Sequence, residues 1–196
     1  MTIHAIEVAT AAEEATVVDV LTLAFIGDPV VRWCWDDPHL YLEHFPRFIR
    51  AFGGRAFGRG SAHRVDGYAG AALWLPPGVE PDEEAIGVVL QSTVPAPVQR
   101  DVFAVTEQMA GYHPGEPHWY LPLIGIDPPR QGKGRGAALL KHALAGCDRD
   151  GSAAYLESTN PKNIPLYESH GFEATGRIQA GGSPVITPML RRARGR

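Results

Sequence analysis

Apolar residues recur at helical spacing through the first quarter of the chain. Residues 13–26 place Val17, Val18, Leu21, Ala24 and Phe25 on one face, and the stripe runs out at Gly27-Asp28-Pro29. Tyr41, Phe45, Phe48, Ile49 and Phe52 repeat the pattern until Gly53-Gly54 stops it. The period then changes. Residues 62–65 and 68–75 flank Asp66-Gly67, a strong hairpin signal, and Pro76-Pro77-Gly78 closes the second arm. Two helical stretches are predicted between residues 82 and 109, broken at Val94-Pro95-Ala96-Pro97, with Val98, Val102, Val105 and Met109 on one stripe of the second. An apolar strand at 118–126, a helix at 134–147 burying Ala137, Leu140, Leu144 and Cys147, and a strand at 153–158 make a βαβ unit with a right-handed crossover. A short helix at 164–170 and strands at 172–178 and 185–190 complete the pattern, without repeats or low-complexity segments.

The most informative segment is Ile124-Gly125-Ile126-Asp127-Pro128-Pro129-Arg130-Gln131-Gly132-Lys133-Gly134-Arg135-Gly136. Proline cannot continue a strand ladder, so the chain turns at Asp127-Pro128-Pro129. Asp127 reads as a turn residue. Three alternate glycines carry no Cβ, so a ligand can approach the backbone there. The helix behind them starts with unpaired amides and the positive end of its dipole. This is an anion cradle suited to a pyrophosphate.

A Walker-type loop is excluded, because Asp127 stands where its first glycine belongs and Gly134 follows Lys133 in place of Ser or Thr. Gly132, Gly134 and Ala137 fit a dinucleotide fingerprint, with Glu157 lying 20 residues further on. The 39 positions after Glu157 are too few for the strands that fold still needs.

The Gln131-x-x-Gly134-x-Gly136 spacing, preceded by Ile124-Gly125-Ile126-Asp127-Pro128, resembles the pyrophosphate loop of the GNAT superfamily of acetyl-CoA-dependent N-acetyltransferases. A second block, Asn160 through Tyr167 to Gly171-Phe172, resembles that superfamily's other signature. The two motifs span residues 118–172. The puromycin N-acetyltransferase-like branch is similar at His118-Trp119-Tyr120-Leu121, Tyr155-Leu156-Glu157-Ser158, Asn160-Pro161-Lys162-Asn163 and Pro188-Met189-Leu190-Arg191. Ala24-Phe25 through Asp28-Pro29 and Leu73-Trp74-Leu75-Pro76-Pro77-Gly78 are similar as well. One departure is visible: Asn160 follows Glu157 by only three positions, a shorter interval than in many relatives.

The resemblance implies an α/β fold with a mixed, mostly antiparallel twisted sheet flanked by helices, over one domain at residues 1–196. The sheet should splay between the strand ending at Ile126 and the strand ending at Ser158. It further implies that Ile124, Gly125 and Ile126 hold the pantetheine arm and acetyl carbonyl of acetyl-CoA through backbone groups. Gln131, Gly132, Lys133, Gly134, Arg135, Gly136 and Ala137 would take the pyrophosphate, the Lys133 and Arg135 side chains being exposed and supplying steering charge. Asn160 would bond the pantetheine amides, with turn chemistry before Pro161 its plainer reading, while Asn163 is read either as a second such ligand or as a helix cap for Ile164.

Tyr167 is the implied general acid for the coenzyme A thiolate. The base is read first as Glu157 and second as His118, because an alkyl ammonium near pKa 10.4 must lose a proton before it attacks. Gly125 also has a plainer reading, that it eases a close contact in a buried strand. Tyr167 has one too, that its ring packs beneath the cofactor.

Composition narrows the partners. With 44% hydrophobic and 20% charged residues the chain is that of a soluble globular protein. A net charge of -4 argues against a nucleic-acid surface. No apolar run approaches the ~20 residues needed to span a bilayer, and the N-terminus lacks the features of a signal peptide, so a cytoplasmic location is expected. Cys34 and Cys147 are too few for a disulfide framework and read as buried small hydrophobes. No metal site is expected. Only Lys133, Lys141 and Lys162 among the 18 basic residues are lysine, which with abundant Ala and Gly hints at a bacterial source. The basic run Arg191-Arg192-Ala193-Arg194-Gly195-Arg196 reads as a solvated tail.

The expected function is transfer of an acetyl group to the primary amine of a small molecule, an aminated antibiotic among the candidates. A catalytically silent acyl-CoA sensor and a protein N-terminal acetyltransferase are the alternatives. Trp33, Trp35, Trp74, Tyr112 and Trp119 are candidate acceptor walls, with core packing the alternative for each. A homodimer is compatible with the pattern.

Overall fold

The computed structural model describes residues 3–193. Seven strands form one sheet in the order β1-β2-β3-β4-β5-β7-β6. They are β1 (Ile6–Val8), β2 (Ala62–Val65), β3 (Gly70–Leu75), β4 (His118–Ile126), β5 (Ala153–Ser158), β6 (Glu173–Ala174) and β7 (Thr187–Arg191). Every pairing is antiparallel except β4 with β5. The helices are α1 (Glu14–Ala24), α2 (Pro29–Cys34), α3 (Pro38–Gly53), α4 (Glu83–Thr93), α5 (Ala96–Tyr112), α6 (Arg135–Asp150) and α7 (Ile164–Glu168). This is the mixed, mostly antiparallel architecture expected.

Alternation along the strands sorts the core into two layers. Ala71, Leu73 and Leu75 of β3 face the helices α1 to α5, together with Phe45, Ile49 and Trp35. Ala72 and Trp74 face the other way, with Leu139, Leu140 and Leu144 of α6 and Phe172. The β2–β3 hairpin forms where expected, but Val65 pairs with Gly70, so its loop is the four residues 66–69 and the second strand begins two positions later than the pattern predicts; Asp66 (φ 47°) and Gly67 (φ 69°) are both left-handed.

β4 changes faces partway along. Leu73 pairs with Leu123 but Leu75 with Tyr120, so β4 carries one extra residue at Leu121-Pro122. The bulge sends both Tyr120 and Leu123 to the layer of α1 to α5, while Leu121 and Ile124 point to that of α6. Gly125 presses on α1: a Cβ there would lie 2.5 Å from Ala24 Cβ. The close-contact reading of Gly125 is therefore correct for its face of the strand.

The structure adds two elements the pattern did not show and corrects two expectations. The pattern was silent on β1, whose three residues are too few to show a period. The first helix ends before Gly27-Asp28-Pro29 as expected, but the pattern misses α2, which begins there: Asp28 accepts the amides of Val30 and Val31, and Pro29 sits at the first helical position. The strand expected over 172–178 shrinks to Glu173–Ala174 plus a lone bridge between Ile178 and Ile186. Between them the backbone at Gly176 lies against the Tyr112 ring, leaving no room for a Cβ. Arg191 is not tail: it is 2% exposed, forms a two-pronged bond to Asp148 and donates to the His170 carbonyl. Arg194 and Arg196 lie outside the described residues.

Candidate active site

The parallel strands β4 and β5 pair over only three positions, His118 with Ala153, Trp119 with Ala154 and Tyr120 with Tyr155. β5 leaves this fork to pair with β7 as far as Ser158, and β4 stays with β3 as far as Ile126. The bulge at Leu121-Pro122 stands where they part. The Asp127 amide donates to Ala69 of the β3 side, so by strand alternation Ile124 and Ile126 turn their amides and carbonyls into the gap. The Gln131 side chain reaches one of these, donating to the Ile126 carbonyl at 3.0 Å.

At the mouth of the gap the glycine loop enters α6. Gly132 (φ 75°) and Gly134 (φ 77°) are left-handed, and at Gly132 a Cβ would meet nothing within 4 Å. Gly134 precedes the first turn of α6 without any side-chain cap, which leaves the amides of the first turn to a ligand. The loop is braced from behind. Asp66 of the hairpin turn accepts from Arg135 Nε at 2.8 Å and contacts His4 Nδ1 at 2.8 Å, while His4 Nε2 lies 2.7 Å from the Lys133 carbonyl. Arg135 also donates to the Arg130 carbonyl. The expectation of an exposed Arg135 is thus corrected: its guanidinium holds the loop to the sheet. Lys133 is exposed, as expected.

The turn reading of Asn160 holds and the cap reading of Asn163 does not. Asn160 Oδ1 accepts from the Lys162 amide at 3.1 Å and closes the turn, whereas Asn163, at the start of α7, makes no capping bond and is exposed. Tyr167 lies in α7, 6% exposed, and packs in the α6-side layer with its ring edge-on to Phe172. Burial first, and then the Asp28 carboxylate, push its phenol above the ordinary tyrosine range. Asp28 is itself buried, its own pKa raised by that burial, and its Oδ2 accepts from Thr159 Oγ1 at 2.6 Å. The loop before α2 is thereby fastened to the end of β5. The sequence carries a signal for this in Asp28-Pro29, an N-cap followed by proline, which opens α2 as well as following the end of α1.

Glu157 projects to the opposite layer from Tyr167. Its side chain is 3% exposed and Oε2 accepts from Tyr120 Oη at 2.8 Å. His113 Nε2 stands 3.3 Å from Oε1, within ion-pair range but not aligned for a hydrogen bond, so Oε1 has no hydrogen-bond partner. His113 Nδ1 lies 3.4 Å from His118 Nε2, and His118 Nδ1 is 2.8 Å from the Glu116 carbonyl. Tyr120 and Tyr155 flank the group, each ring centroid 4.6 Å from that of His113. Burial, followed by the charge of Glu157, raises both phenols well above their usual range, so they remain proton donors. The two candidate bases, Glu157 and His118, are thus linked through His113, a residue the sequence did not single out. Its partners are distant along the chain, and a single histidine after a helix carries no periodic signal.

A cavity of about 650 Å³ opens beside this cluster, among α2 to α5. His113, His118, Tyr120 and Thr159 line one end, and Trp33, Phe48, Phe103 and Met109 line the walls. Of the five aromatic candidates, Trp33 and Trp35 reach this cavity. Trp74 and Trp119 pack on the other face of the sheet, and Tyr112 lies against Gly176. Cys34 borders the cavity, but burial, followed by the Asp28 charge, pushes its thiol up to about 12. Cys147 is pushed up to about 11, again by burial, so neither is a poised nucleophile. Among the described residues no group of three or more His, Cys, Asp or Glu could hold a metal ion, and no helix is long and apolar enough to cross a membrane.

Tyr167→Phe keeps the ring and its packing but removes the proton. Turnover is expected to fall at least about tenfold with cofactor affinity nearly unchanged, read by steady-state kinetics and calorimetry. Wild-type turnover under conditions where chemistry limits the rate would leave Tyr167 as a packing residue.

Comparison with known proteins places this geometry. A family model described as "Acetyltransferase (GNAT) family" matches residues 31–172. A curated relative, the uncharacterized N-acetyltransferase C550.08 of Schizosaccharomyces pombe, is 28% identical over 180 residues, covering 81% of this chain and 68% of that protein. A crystal structure from Corynebacterium glutamicum, described as histone acetyltransferase HPA2 and related acetyltransferase, superposes with a TM-score of 0.68 at 24% identity, covering 100% of this chain and 99% of the other. Arylalkylamine N-acetyltransferase 2 from Aedes aegypti gives a TM-score of 0.68 at 13% identity over 98% of this chain and 100% of its own.

Proposed function

We infer that this chain, which belongs to the acetyltransferase (GNAT) family, moves an acetyl group from acetyl-CoA to the primary amine of a small molecule with an apolar or aromatic body. Membership makes it an acyltransferase, and the family generally uses acetyl-CoA. The observation that carries the acceptor reading is the aromatic-walled cavity whose end is lined by His113, His118 and Tyr120, with the buried Glu157 carboxylate directly behind Tyr120 and His113. Its walls suit an apolar body, and the buried Glu157 carboxylate behind His113 and Tyr120 places negative charge at the end where an ammonium would lie.

The glycine loop fits the cofactor's pyrophosphate, since left-handed glycines and uncapped helix amides offer donors and room. Acetyl-CoA supplies an acetyl group activated as a thioester. The chain's own groups supply the rest. The Ile124 and Ile126 amides face the gap as fixed donors for an acyl oxygen. Gly132 to Ala137 would hold the pyrophosphate through backbone amides, and the exposed Asn163 side chain is free for a pantetheine amide. Tyr167 keeps its proton until a base as strong as a desolvated thiolate forms beside it. Glu157 takes the ammonium proton. Likeness to the puromycin N-acetyltransferase-like branch at Asp28-Pro29 and Tyr155 to Ser158 supports an aminated antibiotic among the acceptors.

The test is a thiol-release assay with acetyl-CoA across amines. Arylalkylamines and puromycin are expected to turn over, while short peptides with free N-termini are expected to give little. Release with peptides alone would overturn the small-molecule reading.

A further inference from the structure

Resting on the acyl-transfer reading above, we propose that His113 is a second proton-handling residue: it takes from Glu157 the proton removed from the amine, with His118 fixing the tautomer that makes this possible. His118 Nδ1 faces the Glu116 carbonyl at 2.8 Å, which only accepts, so the proton of a neutral His118 is on Nδ1 and its Nε2 is an acceptor. His113 Nδ1, 3.4 Å from that Nε2, is therefore the donor between the rings. A neutral His113 then has its lone pair on Nε2, the nitrogen 3.3 Å from Glu157 Oε1, and a small rotation of the ring brings the two into line. Two acceptors face each other until one proton arrives between them.

The step balances. An N–H bond of the ammonium breaks as an O–H bond forms at Glu157 Oε1, leaving the amine lone pair to attack. That O–H bond breaks as an N–H bond forms at His113 Nε2, leaving an imidazolium against a carboxylate. His113 lines the cavity and its side chain is 24% exposed, whereas Glu157 is 3% exposed. The imidazolium discharges to water as the acetylated product leaves. His118, Tyr120 and Tyr155, from β4 and β5, stand against His113, and the carboxylates of Glu80, Glu83 and Glu107 line the same cavity. The two phenols are held protonated by burial and by Glu157, so they do not compete for the proton.

His113→Gln keeps a polar side chain but cannot store the proton. Near neutral pH its turnover is expected to fall about tenfold or more, with KM and acetyl-CoA affinity little changed. Raising the pH, which delivers the amine already neutral, or adding free imidazole should restore most of it. A deficit equal at every pH and indifferent to imidazole would mark His113 as packing and overturn the proposal, as would wild-type turnover. Nitrogen-15 NMR of the wild-type imidazoles tests the same claim without any acceptor. The proposal requires neutral His113 and His118 to carry their protons on Nδ1, and a neutral His113 protonated on Nε2 overturns it. The NMR result also separates the two readings. Nδ1 tautomers with no thiol release from any amine would count against the proposed function, and against this step only through it.

Discussion

Gly134→Asp is expected to weaken acetyl-CoA binding about a hundredfold or more, the largest loss for any single change in the loop. Two effects combine. The residue is left-handed at φ 77°, which costs a side chain about 1–2 kcal/mol outside glycine. The new carboxylate would sit at the uncapped start of α6, where a pyrophosphate oxygen is proposed to lie. Losing one charge-assisted bond there costs about 1.5–3 kcal/mol, and like charges near 4 Å repel by about 4 kcal/mol at an effective dielectric of 20. Each 1.4 kcal/mol is a factor of ten, so even partial screening leaves the hundredfold loss. Gly134→Ala separates the effects, since it brings the strain without the charge. Calorimetry should rank wild type, Gly134→Ala and Gly134→Asp in that order. Equal affinities for all three would remove the loop from the cofactor site.

Glu157→Gln is expected to lower turnover about a hundredfold near neutral pH. Glutamine keeps the shape and can still accept from Tyr120, so the fold and cofactor affinity should survive. The sign of the pH response follows from the substrate. At pH 7 an alkyl ammonium is neutral in only about one molecule in several thousand, equivalent to about 4.6 kcal/mol. As pH rises toward 10 the amine arrives without its proton and the variant's deficit should shrink. A deficit constant across pH would make Glu157 a positioning residue. Because Glu157 and His113 act on one proton, the double variant should lose little more than the worse single. Additive losses would show that they act independently.

What could be read from the chain was what is local in it. The strand, turn and glycine loop from Ile124 to Ala137 are consecutive residues, and proline, glycine and the following apolar stripe each leave a mark there. The hairpin at Asp66-Gly67 was legible for the same reason. What escaped depends on partners far apart in sequence. Arg135 looks like an exposed loop cation until Asp66, 69 positions earlier, is placed beside it. Asn163 looks like a helix cap until Asn160 is seen closing the same turn.

The tryptophans show the limit most plainly. Trp33 and Trp35 sit by the cavity and Trp74 in the opposite layer, and nothing in their immediate neighbours distinguishes them. The face changes in β4 were hidden too, because a bulge at Leu121-Pro122 shifts the alternation by one without interrupting the apolar run. His113 left no mark at all, as its meaning comes from Glu157 on a strand 44 positions away.

The most direct measurement of the central claim is identification of the product. The purified protein is incubated with acetyl-CoA and an arylalkylamine, and both the small-molecule fraction and free thiol are followed by mass spectrometry and absorbance. The account predicts one acetylated amine for each thiol released, with both lost together in Glu157→Gln at neutral pH and recovered together as the pH rises. Thiol release without acetylated amine, or acetylated amine that persists undiminished in that variant, would contradict it.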